Sequence, residues 1–192
     1  MDKLSLLLEQ KEEPIVLLDF PNQRQGTRYY CGVDCVETVL AYYDIDVREQ
    51  DLATILDADP KNGTSIERMV KFISMQRGLQ VEYRQNMTIN DLKKYLNKKI
   101  PVIVMIQAWP SKDVKDWEDE WNSGHYVVAI GYTDTKILFG DPATYYEVSY
   151  IENGEFMKRW HDEDRDKKYE QFGCAVFGRK PKYDKNKWKK ID

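Results

Sequence analysis

Apolar positions recur at helical spacing through most of the first half of the chain and gather into short, strand-like runs in the second. Residues 14–20 (PIVLLDF) read as a first strand, and 22–30, polar and aromatic with Gly26, as a loop. Val36, Val39, Leu40 and Tyr43 fall on one face of a helix over 32–43, and a short helix over 49–56 follows. Gly63-Thr64-Ser65-Ile66-Glu67 predicts the next start, with Thr64 as cap and Glu67 completing a capping box. Ile66, Met69, Val70 and Ile73 form its apolar stripe and Gly78 ends it. A strand over 79–83, a helix over 90–96 and a strongly apolar strand over 101–107 come next.

Residues 108–124 read as a long polar loop rich in Trp and acid. Three consecutive antiparallel strands are predicted over 125–132, 136–139 and 147–150, then a helix over 153–160 and a last strand over 173–178. Helices first and strands later is an α+β pattern, with helices packed to one side of an antiparallel sheet. A cleft between the two halves is the expected place for chemistry.

At 192 residues the chain is expected to form one domain spanning 1–192, with a core over about 14–178 and a basic, solvated tail over 179–192. The net charge of −4 gives no basic footprint for nucleic acid. No apolar stretch approaches the ~20 residues that would span a membrane. The first thirteen residues lack the basic start and small-residue cleavage site of a secretory signal. Three cysteines are too few, and odd in number, for a disulfide framework, so a reducing cytoplasm is the expected compartment.

The candidate chemistry lies in Gln25, Cys31, His125 and Asp141, in that order. Cys31 stands at a helix start, where free amide donors and the positive end of the dipole favour an anion, and a thiol attacks as its thiolate. Gly32 beside it leaves room for a substrate backbone. Cys35 and Cys174 sit within apolar patterns and read as packing. His125 opens a strand and is suited to take and return a proton near neutrality. Asp141, in Gly140-Asp141-Pro142, comes beside it if the two strands pair, and can fix its tautomer. Gln25, six residues before Cys31, offers an amide N–H to a developing oxyanion; Gln23 competes for that role. His161, within Trp160-His161-Asp162-Glu163-Asp164, reads as surface.

A metal is not expected. Cys31 and Cys35 are spaced more loosely than a usual zinc pair, and no second histidine pair follows. The acidic run 113–120 lacks the ligand spacing and turn glycine of a calcium loop. Trp109, Trp117 and Trp121 read either as a substrate wall near His125 or as packing of the long loop.

Gln25, Cys31-Gly32, Gly124-His125-Tyr126 and Asp141-Pro142, with the Gly63-Thr64-Ser65 helix start between them, resemble the bacteriocin-processing (double-glycine leader) cysteine peptidases and their stand-alone relatives, a papain-like group. The resemblance covers roughly 23–150. It implies a papain-like fold and cysteine-dependent amide hydrolysis without a cofactor. Tyr30 stands where that family often has an acid, and no transporter or ATPase segment accompanies the chain, so a free-standing peptidase is the expectation. The expected function is hydrolysis of a peptide or protein substrate through Cys31, His125 and Asp141 with Gln25 at the oxyanion. The alternatives are an acyltransferase on the same thiol, and an inactive peptide-binding module of the same fold.

Overall fold

The computed structural model describes residues 12–110, 116–188 and 190; the leucine-rich start of the chain and residues 113–115 of the acidic run lie outside them. Helix α1 (Cys31–Tyr42) carries the predicted apolar face: Val33, Val36, Val39 and Leu40 are fully buried. Each such side chain contributes about 1.5–3 kcal/mol relative to exposure. The helix ends where Asp44 turns left-handed (φ 60°) and the Ile45 N–H returns to the Leu40 carbonyl at 2.9 Å. Just past that end the buried Tyr43 donates its hydroxyl to the Val176 carbonyl at 2.7 Å, tying the helical half to the sheet.

Helices α2 (Glu49–Ile55), α3 (Ile66–Ser74) and α4 (Ile89–Leu96) follow. The cap of α3 is Ser65, whose side chain accepts the Arg68 N–H, and not Thr64. Thr64 is buried instead, with its hydroxyl oxygen unpartnered. Part of the reason lies far along the chain: the Asp164 carboxylate accepts the Ile66 N–H at 3.0 Å and fixes where the helix starts. Helix α4 is capped by Thr88 in a reciprocal box with Asp91.

Seven strands form one antiparallel sheet. Its path runs β2 (Gln80–Arg84), β9 (Gly173–Phe177), β3 (Val102–Gln107), β4 (Gly124–Tyr132), β5 (Lys136–Gly140) and β6 (Ser149–Glu152). The first strand, β1 (Val16–Leu17), pairs only with the end of β4, at Tyr132 and Gly131. It is shorter than the predicted 14–20 because Pro14 has no N–H to donate, although Ile15 and Leu18 extend the pairing to the Tyr132 and Ile130 carbonyls. Strand β3 is buried on both faces, and helices α1 and α4 pack against β4. The fold is α+β, as the order of periods predicts.

One element escaped the sequence. After α5 (Asn153–Arg159), the charged run read as surface forms a two-stranded hairpin, β7 (His161–Asp164) with β8 (Lys167–Glu170). His161, Asp162 and Asp164 are buried. His161 is therefore not a surface residue: its Nε2 lies 2.7 Å from the Glu120 carbonyl and its ring 4.3 Å from that of Trp121.

Candidate active site

Strands β4 and β5 set the geometry of the base and its partner. Val128 pairs with Gly140, so Asp141 falls opposite Val127 and diagonal to His125 on the same face. His125 Nε2 lies 2.7 Å from Asp141 Oδ1, with the His125 side chain 4% exposed. Asp141 Oδ1 also accepts the Ala143 N–H at 2.9 Å, which closes the Asp-Pro turn around the carboxylate.

Asp141 occupies one ring nitrogen, and Cys31 lies close enough to act on the charge of the same ring. Burial opposes the charged ring. Hydrogen bonds to Asp141 and Cys31, and the charges of both, outweigh it and carry His125 up to about 9. Burial likewise works against the ionised Asp141, but the bond and charge of His125 prevail and hold its carboxyl below the usual range. A protonated imidazole beside a thiol is the setting in which sulfur attacks as thiolate. Cys31 is the first residue of α1, and no side chain caps that end. Burial pushes the Cys174 thiol up to about 12, and burial, with the charges of Cys31 and Asp34, pushes Cys35 well up. All three thiols are free.

Gln25 is tethered to the same place. Its N–H donates to the Pro142 carbonyl at 2.9 Å, and the neighbouring Gly26 N–H donates to Glu49 Oε1 at 2.9 Å. The side-chain amide donates to Thr27 O at 2.6 Å, which leaves its second proton uncommitted, and its oxygen is buried without a partner. Gln23, the competitor, points elsewhere: its amide reaches Glu37 Oε2 at 2.9 Å and Asp34 Oδ1 at 3.4 Å on the flank of α1. Asp34 is itself buried, and burial first, then Glu49 and Glu37, push its carboxyl up to about 7.

Two cavities meet at Gly124. One, of about 1020 Å³, is lined by Gln25, Trp109 and Ala143; the other, of about 460 Å³, by Cys31, Tyr126 and Asp162. Two glycines keep this ground open. A β-carbon on Gly32 would lie 2.6 Å from Thr64 Cβ, and one on Gly124 would overlap the Asp162 carboxylate. Asp162 is held against Gly124 by Gln107, whose amide donates to Asp162 Oδ1 at 2.9 Å and to the His161 carbonyl at 3.0 Å. The amide oxygen of Gln107 takes the Ser123 N–H at 3.0 Å. This brace fixes the segment leading into His125, and its members carried no readable signal in the sequence because their period is neither apolar nor regular.

Trp109 lies against the ring of His125, with centroids 4.9 Å apart. Trp117 lies under the Arg159 guanidinium and Trp121 against His161. Of the three tryptophans, Trp109 lies against the candidate base itself, while Trp117 lines a cavity with His125 and Asp141, and Trp121 one with Cys31. Among the described residues no group of three His, Cys, Asp or Glu is disposed to hold a metal, and no helix is long and apolar enough to cross a membrane.

The Peptidase_C39-like family model matches residues 17–174, which includes all four candidate residues. The chain belongs to the Peptidase_C39-like family. No curated protein matches it. Among solved structures, a C39-like protein from Bacillus anthracis aligns with a TM-score of 0.65 at 15% identity, over 89% of this chain and 100% of that one. The peptidase domain of Streptococcus ComA, a bifunctional ABC transporter of a quorum-sensing pathway, aligns with a TM-score of 0.57 at 19% identity, over 84% and 96% of the two chains. A double-glycine-motif protease from an AMS/PCAT transporter, solved with its leader peptide, aligns with a TM-score of 0.57 at 18% identity, over 84% and 94%. These likenesses establish a C39 papain-like fold, and family and fold together support a peptidase.

Proposed function

We propose that this chain is a cysteine peptidase that cleaves a peptide or protein substrate. The observation that carries the proposal is His125, buried and bonded to Asp141 through one nitrogen at 2.7 Å, with Cys31 at the start of α1 acting on the charge of the same ring. Cys31 sulfur attacks the scissile carbonyl carbon. The oxyanion is met by the Cys31 backbone N–H and by the free proton of the Gln25 amide. His125 gives its proton to the leaving amine, whose bond to the acyl carbon breaks. Water, deprotonated by His125, then attacks the thioester and releases the acid and the thiol. Asp141 keeps the imidazole oriented throughout.

Hydrolysis is preferred over acyl transfer because the chain belongs to the Peptidase_C39-like family. It is preferred over an inactive module because cavities adjoin Cys31 and Gln25 and the imidazole is paired. The test is a mixed peptide library digested by the wild-type chain and by Cys31→Ala and read by mass spectrometry, with and without an added amine. New free carboxyl termini made only by the wild type support hydrolysis. Amide products in the amine arm would instead assign acyl transfer, and equal cleavage by both chains would contradict the mechanism.

A further inference from the structure

Trp109 is poorly explained as packing. It follows β3 in a left-handed backbone conformation (φ 52°), which a bulky residue adopts at a cost. Its indole is 65% exposed, so burial does not repay that cost. What the conformation achieves is contact. The ring lies 4.9 Å from that of His125 with the planes at 53°. It lines both the large cavity beside Gln25 and a cavity of about 390 Å³ beside His125 and Asp141. The turn is held from behind: Ser123 Oγ donates to the Trp109 carbonyl at 3.1 Å, and the Ala108 N–H donates to Ser123 O at 2.8 Å.

We infer that Trp109 is a positioning residue for the proposed peptidase reaction: its indole face stabilises the imidazolium form of His125 and keeps the ring between Asp141 and Cys31. The π face of tryptophan carries negative potential and attracts a cation within about 6 Å of its centroid. His125 is that cation when it holds both protons. The charged groups bearing on it from other elements are Cys31 at the start of α1 and Asp141 after β5. Arg159 of α5 shares a cavity with it, and Asp162 of β7 lies against the preceding Gly124. Asp141 lies at a ring nitrogen, and Trp109 lies against the ring at a tilt. The inference rests on His125 acting as the proton carrier, but its test needs no substrate.

The chain has two histidines, so a proton NMR titration resolves both imidazoles. Trp109→Leu keeps an apolar cover over His125 and removes the π face; Trp109→Phe keeps a smaller one. In Trp109→Leu the His125 midpoint falls by about half a pH unit, ~3-fold in the ionisation equilibrium, and in Trp109→Phe it falls less. His161, whose ring lies against Trp121 and away from Trp109, is the second imidazole resonance and serves as the reference signal. An unchanged or raised His125 midpoint in Trp109→Leu would overturn the inference while leaving the peptidase proposal intact. Failure of the library digestion with a lowered midpoint would leave the stacking role standing and refute only the reaction.

Discussion

His125 Nε2 and Asp141 Oδ1 meet at 2.7 Å across a separation of sixteen residues, because two adjacent strands double back with Val128 opposite Gly140. The contact places an acid on one imidazole nitrogen. It also makes the site sensitive to pH in a definite direction.

That direction can be measured on stability. The folded pKa of His125, about 9, lies above the ordinary 6.5. Its contribution is therefore fully present below about pH 6.5 and is lost as pH rises through 9. It amounts to about 3 kcal/mol at most. In Asp141→Asn the bond that raises the value is weakened. Urea unfolding at pH 6 and pH 9.5 should differ clearly for the wild type and much less for Asp141→Asn. The same variant should lose about 10²–10⁴-fold in hydrolysis through loss of the correct tautomer.

Asp34 behaves in the opposite chemical sense. Its carboxyl is raised to about 7 in the folded chain, by burial first and by Glu49 and Glu37. A raised acid favours folding below its unfolded value near 4, and that advantage is lost as pH rises through 7. Asp34→Asn should therefore gain about 4 kcal/mol relative to wild type at pH 8 and little at pH 4. Thermal unfolding at the two pH values checks this.

Gln25→Ala removes one oxyanion donor and leaves the Gln25 N–H bond to Pro142 in place. Hydrolysis should fall about 10²–10³-fold in kcat with KM little changed. Gln23→Ala, whose side chain serves Asp34 and Glu37, should leave kcat nearly unaltered. Steady-state kinetics on any peptide found in the library separates the two.

Gly124→Ala would drive a methyl into the Asp162 carboxylate. Overpacking of this kind costs about 1–3 kcal/mol and should displace His125 next door. Gly124→Ala combined with Asp162→Ala should recover part of the loss, giving a non-additive cycle in unfolding free energy.

Much of this arrangement was legible in the sequence. The face of α1 and the run of β4 announce themselves because burial there is apolar and periodic: Val36, Val39 and Leu40 in one, Val127 to Ile130 in the other. Cys31, His125 and Asp141 stand at the edges of those patterns, which is why order alone suggested a site. The β7–β8 hairpin was not legible, because the residues it buries are His161, Asp162 and Asp164. Their burial is sustained by particular partners, Glu120, Gln107 and Ile66, from three other segments. No local rule reads such pairings. The move of the α3 cap from Thr64 to Ser65 has the same origin, in Asp164 reaching the Ile66 N–H. Trp109 gave only its residue type; its left-handed turn against His125 is a property of the folded chain.

The most direct measurement is alkylation of the three thiols by iodoacetamide at pH 6, with mass-spectrometric assignment, in wild type and His125→Ala. Cys31 should be labelled faster than a free cysteine, Cys35 and Cys174 hardly at all, and the His125→Ala chain should lose the advantage while remaining folded. Labelling of Cys31 no faster than free cysteine, or equally fast without His125, would contradict a sulfur–imidazole couple as the source of activity.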